Sequence, residues 1–115
     1  MATVTELRNQ VLQTMGILRI GQSPQSQDKT EIESAYDEVY ADLKQEGLAT
    51  WTSTGGIPTE VLPHVVSLVA LSRSDTYGIS DSRLARIAAK ASVAKREIRR
   101  LVTPKFESLD EPVDY

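Results

Sequence analysis

Four stretches of the chain carry apolar residues at helical spacing, and polar punctuation separates them. Leu7, Val11, Leu12, Met15 and Leu18 follow at intervals of four, one, three and three. That is one stripe of an amphipathic helix. Thr3 and Glu6 form a capping-box pattern ahead of it, so the first helix is predicted over Val4 to Ile20. Gly16 weakens its last turn; Gly21 is the expected stop, and Pro24 marks the break. Ile32, Ala35, Tyr36, Val39, Tyr40 and Leu43 then repeat at three and four. A second helix is predicted from Ser26 to Glu46, with Ser23, Ser26 and Asp28 offering cap oxygens. Gly47 fits a left-handed cap, and Leu48 is the apolar residue just past it.

Residues 49–57 have no period, and Thr52-Ser53-Thr54-Gly55-Gly56 reads as a turn or loop. Trp51 before it is expected to anchor the loop on the core; the other reading is an interface hot spot. A third helix is expected near Pro58 or Thr59, with Pro63 implying a later start or a kink. Val61, Leu62, Val65, Val66, Leu68, Val69 and Leu71 make it apolar nearly all round, as in a central or interface helix. Its β-branched residues permit a strand over Val65 to Leu71, but strict alternation is missing. Asp75 to Gly78 is a predicted turn. A fourth helix starts at Ser80 or Ser82 and runs to Val102, burying Leu84, Ile87, Ala88, Ala91, Ala94, Ile98 and Leu101. Pro104 ends it.

The predicted fold class is therefore all-α: a small four-helix domain over residues 1–102, followed by an extended C-terminal arm over 103–115. The arm has two prolines, four acidic residues and apolar points only at Phe106, Leu109, Val113 and Tyr115. Alone it is expected to be extended or disordered; evenly spaced anchors in an acidic segment suit docking on another protein.

Composition narrows the chemistry. The 115 residues fit one small domain, for which oligomerisation is a natural way to bury more surface. Cysteine is absent, which removes disulfides, thiolate nucleophiles and thiolate zinc sites. No signal-peptide pattern or membrane-length apolar run is visible, so a cytoplasmic origin is expected. His64 is the only histidine, and it reads as a core or interface residue, since no sequence partner completes a triad. Gly55-Gly56 lacks the Gly-Lys-Ser/Thr of a phosphate loop. The acidic residues of the second helix form no recognisable catalytic pair. No enzyme, metal or cofactor is expected.

The net charge of −3 hides a partition. Residues 1–60 carry four basic and nine acidic residues, and residues 83–102 carry seven basic residues against Glu97. Residues 103–115 return to a net −3. Acidic and basic surfaces are expected to meet, within one subunit or between copies. Glu33 and Asp37 on the second helix, and Arg86, Lys90, Arg96 and Arg100 on the fourth, are the candidate residues for a subunit interface or a channel lining. The basic helix reads either as a phosphate-contacting surface or as a solvated face with salt bridges.

The order of motifs resembles a known family. Val4-Thr5-Glu6-Leu7, Val11-Leu12, Met15-Gly16-Ile17-Leu18 and Gly21-Gln22-Ser23-Pro24 come first. A long acidic helix, Gly47-Leu48-Ala49-Thr50-Trp51, Gly56-Ile57-Pro58, the apolar helix 61–71 and Tyr77-Gly78-Ile79 precede the basic helix and short tail. Together they resemble tailed-bacteriophage head-to-tail adaptors, also called head-completion or packaged-DNA-stabilisation proteins. At 115 residues the chain is short for that family, and no role of a long C-terminal extension is expected of it. The resemblance implies a mostly helical virion protein without cofactors, located at the neck. It implies a ring, typically a dodecamer, beneath the portal protein. That ring would prolong the channel for double-stranded DNA, help retain the genome and receive a tail or tail-nozzle protein. Portal docking would fall to Phe106, Leu109, Val113 and Tyr115. The alternative is a small helical DNA-binding protein, such as a terminase small subunit, although the turn before the basic helix is longer than a helix-turn-helix usually has.

Overall fold

The computed structural model describes residues 2–19, 21 and 24–102. The arm residues Phe106, Leu109, Val113 and Tyr115 lie outside the described residues. Among those described, the chain is all-α: α1 (Val4–Thr14), α2 (Ser26–Gln45), α3 (Leu62–Ser72), the one-turn α4 (Ser74–Tyr77) and α5 (Asp81–Val102). The four long helices are those the pattern predicts, and α4 occupies the predicted turn.

α3 is the centre of the bundle. It packs against α1, α2 and α5, and α4 follows it directly. This placement explains a helix apolar on nearly every side: Leu62, Val65, Val66, Val69 and Ala70 are all buried. The helix begins at Leu62, after a turn in which the Pro58 carbonyl accepts the Val61 and Leu62 N–H groups. Pro63 therefore sits in the first turn, where its missing N–H costs little. Leu7, Val11 and Leu12 of α1, Ile32 and Leu43 of α2, and Ile98 of α5 are fully buried around it. Each such side chain contributes about 1.5–3 kcal/mol relative to exposure.

α1 opens with the predicted capping box. Thr3 Oγ1 accepts the Glu6 N–H at 3.1 Å, and Glu6 Oε1 accepts the Thr3 N–H at 3.0 Å. Its end differs from expectation. The helix stops at Thr14, not near Ile20. Gly16 takes φ +79°, the Ile17 N–H returns to the Leu12 carbonyl at 2.9 Å, and the Gly16 N–H returns to Gln13 at 3.0 Å. This 6→1 and 5→2 pair is a Schellman closure. It turns the chain early and still buries Leu18, so the apolar stripe continues after the helix has ended.

α2 closes the same way at Gly47 (φ +77°), with the Leu48 N–H bonded to Leu43 O at 2.8 Å and Leu48 buried. It starts at Ser26, as predicted, but its cap differs from expectation. Gln25 is the N-cap and makes no side-chain cap bond; Ser26 lies inside the helix and Ser23 lies outside the described residues.

Two contacts fasten the loop between α2 and α3. Ala2 and Ile57 exchange backbone hydrogen bonds of 2.8 and 2.7 Å as an isolated antiparallel bridge. Trp51 is buried, and its Nε1–H donates to the Tyr36 hydroxyl at 2.9 Å. The Tyr40 hydroxyl donates to the Trp51 carbonyl at 2.6 Å. The indole anchors its loop on α2, as the sequence suggests. No described helix is long and apolar enough to cross a membrane.

Candidate functional site

The charge partition resolves into two unlike surfaces. The acidic face of α2 is largely matched inside the chain. Glu33 accepts from Arg8 Nη1 at 2.6 Å, with the arginine nearly buried. Arg73, just past α3, donates through Nε to Glu31 at 2.6 Å and through both terminal nitrogens to Glu38 at 3.0 and 3.3 Å. Lys95 reaches from α5 to Asp42 at 2.6 Å and Glu46 at 2.5 Å. The hydrogen bonds and charges of these cations hold the Glu38 and Asp42 carboxyls below their ordinary range, and the carboxylates raise Lys95. Asp28 accepts from the Tyr77 hydroxyl at 3.0 Å. Burial, then the carboxylate neighbour, pushes that phenol up to about 12. Asp37 is exposed and makes no ion pair among the described residues.

α5 has two flanks. Lys95 faces the C-terminal end of α2. On the other flank, Arg83, Arg86 and Lys90 recur at three and four residues and so share a side. Arg83 donates to the Thr14 carbonyl at 3.0 Å, covering the end of α1. It lies so close to Gly16 that a Cβ there would meet its guanidinium at 3.0 Å. Arg86 and Lys90 are exposed and make no ion pair among the described residues; the same holds for Arg96. Arg100 is bonded to Glu97 one turn earlier at 2.9 Å and contributes less free charge. The six interface candidates are thus not brought together. Glu33 is matched inside the bundle, Asp37 lies on α2, and only Arg86 and Lys90 share a concave surface.

That surface is a groove between α1, α3 and α5. A section of about 410 Å³ is lined by Gln10 and Thr14, by His64 and Ser67, and by Lys90 and Val93, among others. A second section of about 220 Å³ shares Thr14, Ser67 and Lys90 and adds Arg83, Arg86 and Ile87. Among the described residues, no carboxylate lines either section. Val66, Ile87 and Val93 also line the groove and give it an apolar part, with Val66 and Ile87 nearly buried. His64 is half-buried at its edge, within electrostatic reach of Glu97. A further cleft of about 580 Å³ opens between the start of α2 and α4, lined by Asp28, Glu31, Thr76 and Tyr77 among others.

Among the described residues, no cluster of three or more His, Asp or Glu could hold a metal ion. What these surfaces can do is recognise charge. The sequence identifies the basic face of α5 from its period. It does not reveal that Arg73 and Lys95 are the residues that match α2, nor that α1 and α3 supply the walls of the groove. Compared with known protein families, with curated proteins and with solved structures, the chain finds no match.

Proposed function

We propose that this protein is a structural adaptor of the tailed-phage neck. It forms a ring under the portal protein, prolongs the DNA channel, helps retain packaged DNA and gives the tail a platform. The observation that carries this reading is the ordered set of motifs running from Val4-Thr5-Glu6-Leu7 to Tyr77-Gly78-Ile79. Several of those residues set the joints of the bundle: Glu6 in the capping box, Gly16 and Gly47 at helix ends, Trp51 at the clasp. The charge layout adds support. An assembly subunit needs a firm body and leftover patches that fit a neighbour, because a closed ring is built from heterologous contacts. The body uses most of the α2 carboxylates internally, while Asp37 on α2 and Arg86, Lys90 and Arg96 on α5 remain for other partners. In this reading the chain acts by assembly, not catalysis. Docking belongs to the C-terminal arm, with Phe106, Leu109, Val113 and Tyr115 as apolar anchors repeated around the ring.

Deletion of residues 104–115 tests the reading directly. The truncated chain is expected to keep its helical circular-dichroism spectrum and to lose capture by portal protein. Undiminished capture would remove the docking role. The second reading, a small DNA-binding protein, is favoured by the unmatched Arg86, Lys90 and Arg96. Under that reading the free protein binds duplex DNA with an affinity that falls steeply as salt rises.

A further inference from the structure

We propose that the groove between α1, α3 and α5 is a docking site for the acidic C-terminal segment of the same chain, residues 103–115. The argument begins with what the groove asks of an occupant. Arg83, Arg86 and Lys90 line it with no carboxylate among the described residues. Val93, half-buried, and the nearly buried Val66 and Ile87 line it too. Duplex DNA would use the cations but has no use for apolar ground in a recess. An extended peptide alternating carboxylates with apolar side chains uses both. The segment after Val102 has that composition: Phe106-Glu107, Leu109-Asp110-Glu111 and Val113-Asp114, with a net charge of −3.

Reach agrees. Along α5, Lys90 lies twelve residues before Val102, or about 18 Å at helical rise. The thirteen residues of the segment span up to about 43 Å when extended. A reversal at Thr103-Pro104, where proline cannot continue the helix, leaves enough chain for Leu109 to Glu111 to lie beside Lys90 and for Asp114 to approach Arg86. Tethering favours this occupant over an equal segment on another copy, because a short linker holds its ends at roughly millimolar effective concentration. The inference stands apart from the phage reading. Both meet in one consequence: a partner that takes the arm must compete with the groove for it.

Zero-length carbodiimide cross-linking of the full chain tests it, since this reagent joins only carboxylates and amines already in contact. A dilute equal mixture of isotope-labelled and unlabelled protein is treated and the cross-links are mapped by mass spectrometry. The expected result is linkage of Glu107, Asp110, Glu111 or Asp114 to Lys90, within one isotopic form. Its yield should exceed linkage to the exposed Lys44 by about fivefold, the scale of one surface ion pair. Arg86→Glu should reduce the Lys90 yield several-fold. The Lys95–Asp42 cross-link should persist in that variant and report an intact fold. Equal yields at Lys44 and Lys90 would overturn the proposal. So would cross-links joining labelled to unlabelled copies, which would make a second copy the donor. Because the test contains neither portal nor DNA, its failure leaves the adaptor reading untouched.

Discussion

α2 and α5 are the two longest helices of the bundle, and they carry opposite charge. They use it differently. Of the carboxylates between Asp28 and Glu46, all but Asp37 meet a partner from another element: Arg8, Arg73, Tyr77 or Lys95. On α5, the groove flank keeps Arg86 and Lys90 without an ion pair among the described residues, as does Arg96. Matched charge fixes how helices sit on one another. Unmatched charge of one sign, gathered beside a recess, contributes nothing to the fold and raises self-repulsion. The acidic side therefore belongs to the body of the molecule, and the basic flank is left for contacts made beyond the described helices.

Breaking the α2 side at its aromatic clasp should have the largest effect. Trp51→Ala removes a buried indole and its bond to Tyr36. The expected loss is about 3–5 kcal/mol, a large share of the roughly 5–15 kcal/mol that a small domain has. Urea unfolding followed by circular dichroism measures it. A loss below about 1 kcal/mol would mean the indole is not the anchor of the loop. Trp51→Phe separates the two contributions, since it keeps most of the apolar surface and removes the donor, worth about 1 kcal/mol.

How much of this was legible depends on range. Local signals are plain in the sequence: the capping box at Thr3, the closure at Gly47, the later start of α3 that Pro63 implies and the anchor at Trp51. Gly16 misled because Ile17, Leu18 and Ile20 continue the apolar pattern past it. Periodicity cannot distinguish a helix that continues from a Schellman turn that delivers the next apolar residue to the same core. The Ala2–Ile57 bridge joins residues 55 positions apart and has no local trace. The same holds for charge. The surplus on α5 is plain in the sequence, but Arg73, from a segment of weak net charge, binds two α2 carboxylates. The groove was half legible, as one basic helical flank whose opposite walls come from α1 and α3.

Tyr77 gives a smaller and pH-dependent test of the matched side. Its hydroxyl bonds Asp28, and its phenol is raised from 10.0 to about 12. A raised phenol keeps its proton longer in the folded chain than in the unfolded one. Its contribution is therefore fully present below pH 10 and is lost as pH rises toward about 12. Tyr77→Phe should lose about 1 kcal/mol near neutral pH, the value of one hydrogen bond. The gap from the parent should close across that alkaline window, as urea midpoints at pH 7, 10 and 11 would record. No gap at pH 7 would show that the hydroxyl adds nothing to stability, and a gap that stays constant to pH 11 would show that ionisation of the phenol is not coupled to folding.

The basic flank offers the sharpest contrast, because there the expected effect on stability is nearly zero. Arg86→Glu combined with Lys90→Glu reverses two charges, and surface changes of this kind fall within about 0.5 kcal/mol. The direction can also be argued. The carboxylate introduced at position 86 faces Arg83 three residues earlier, an attractive pair, and the two introduced carboxylates repel one another as the two cations do. The double variant should therefore be as stable as the parent or slightly more so by urea unfolding. A loss of about 2 kcal/mol or more would place these residues in the body of the fold and erase the distinction between the two helices. With stability retained, any function the variant loses must come from contacts made at the groove.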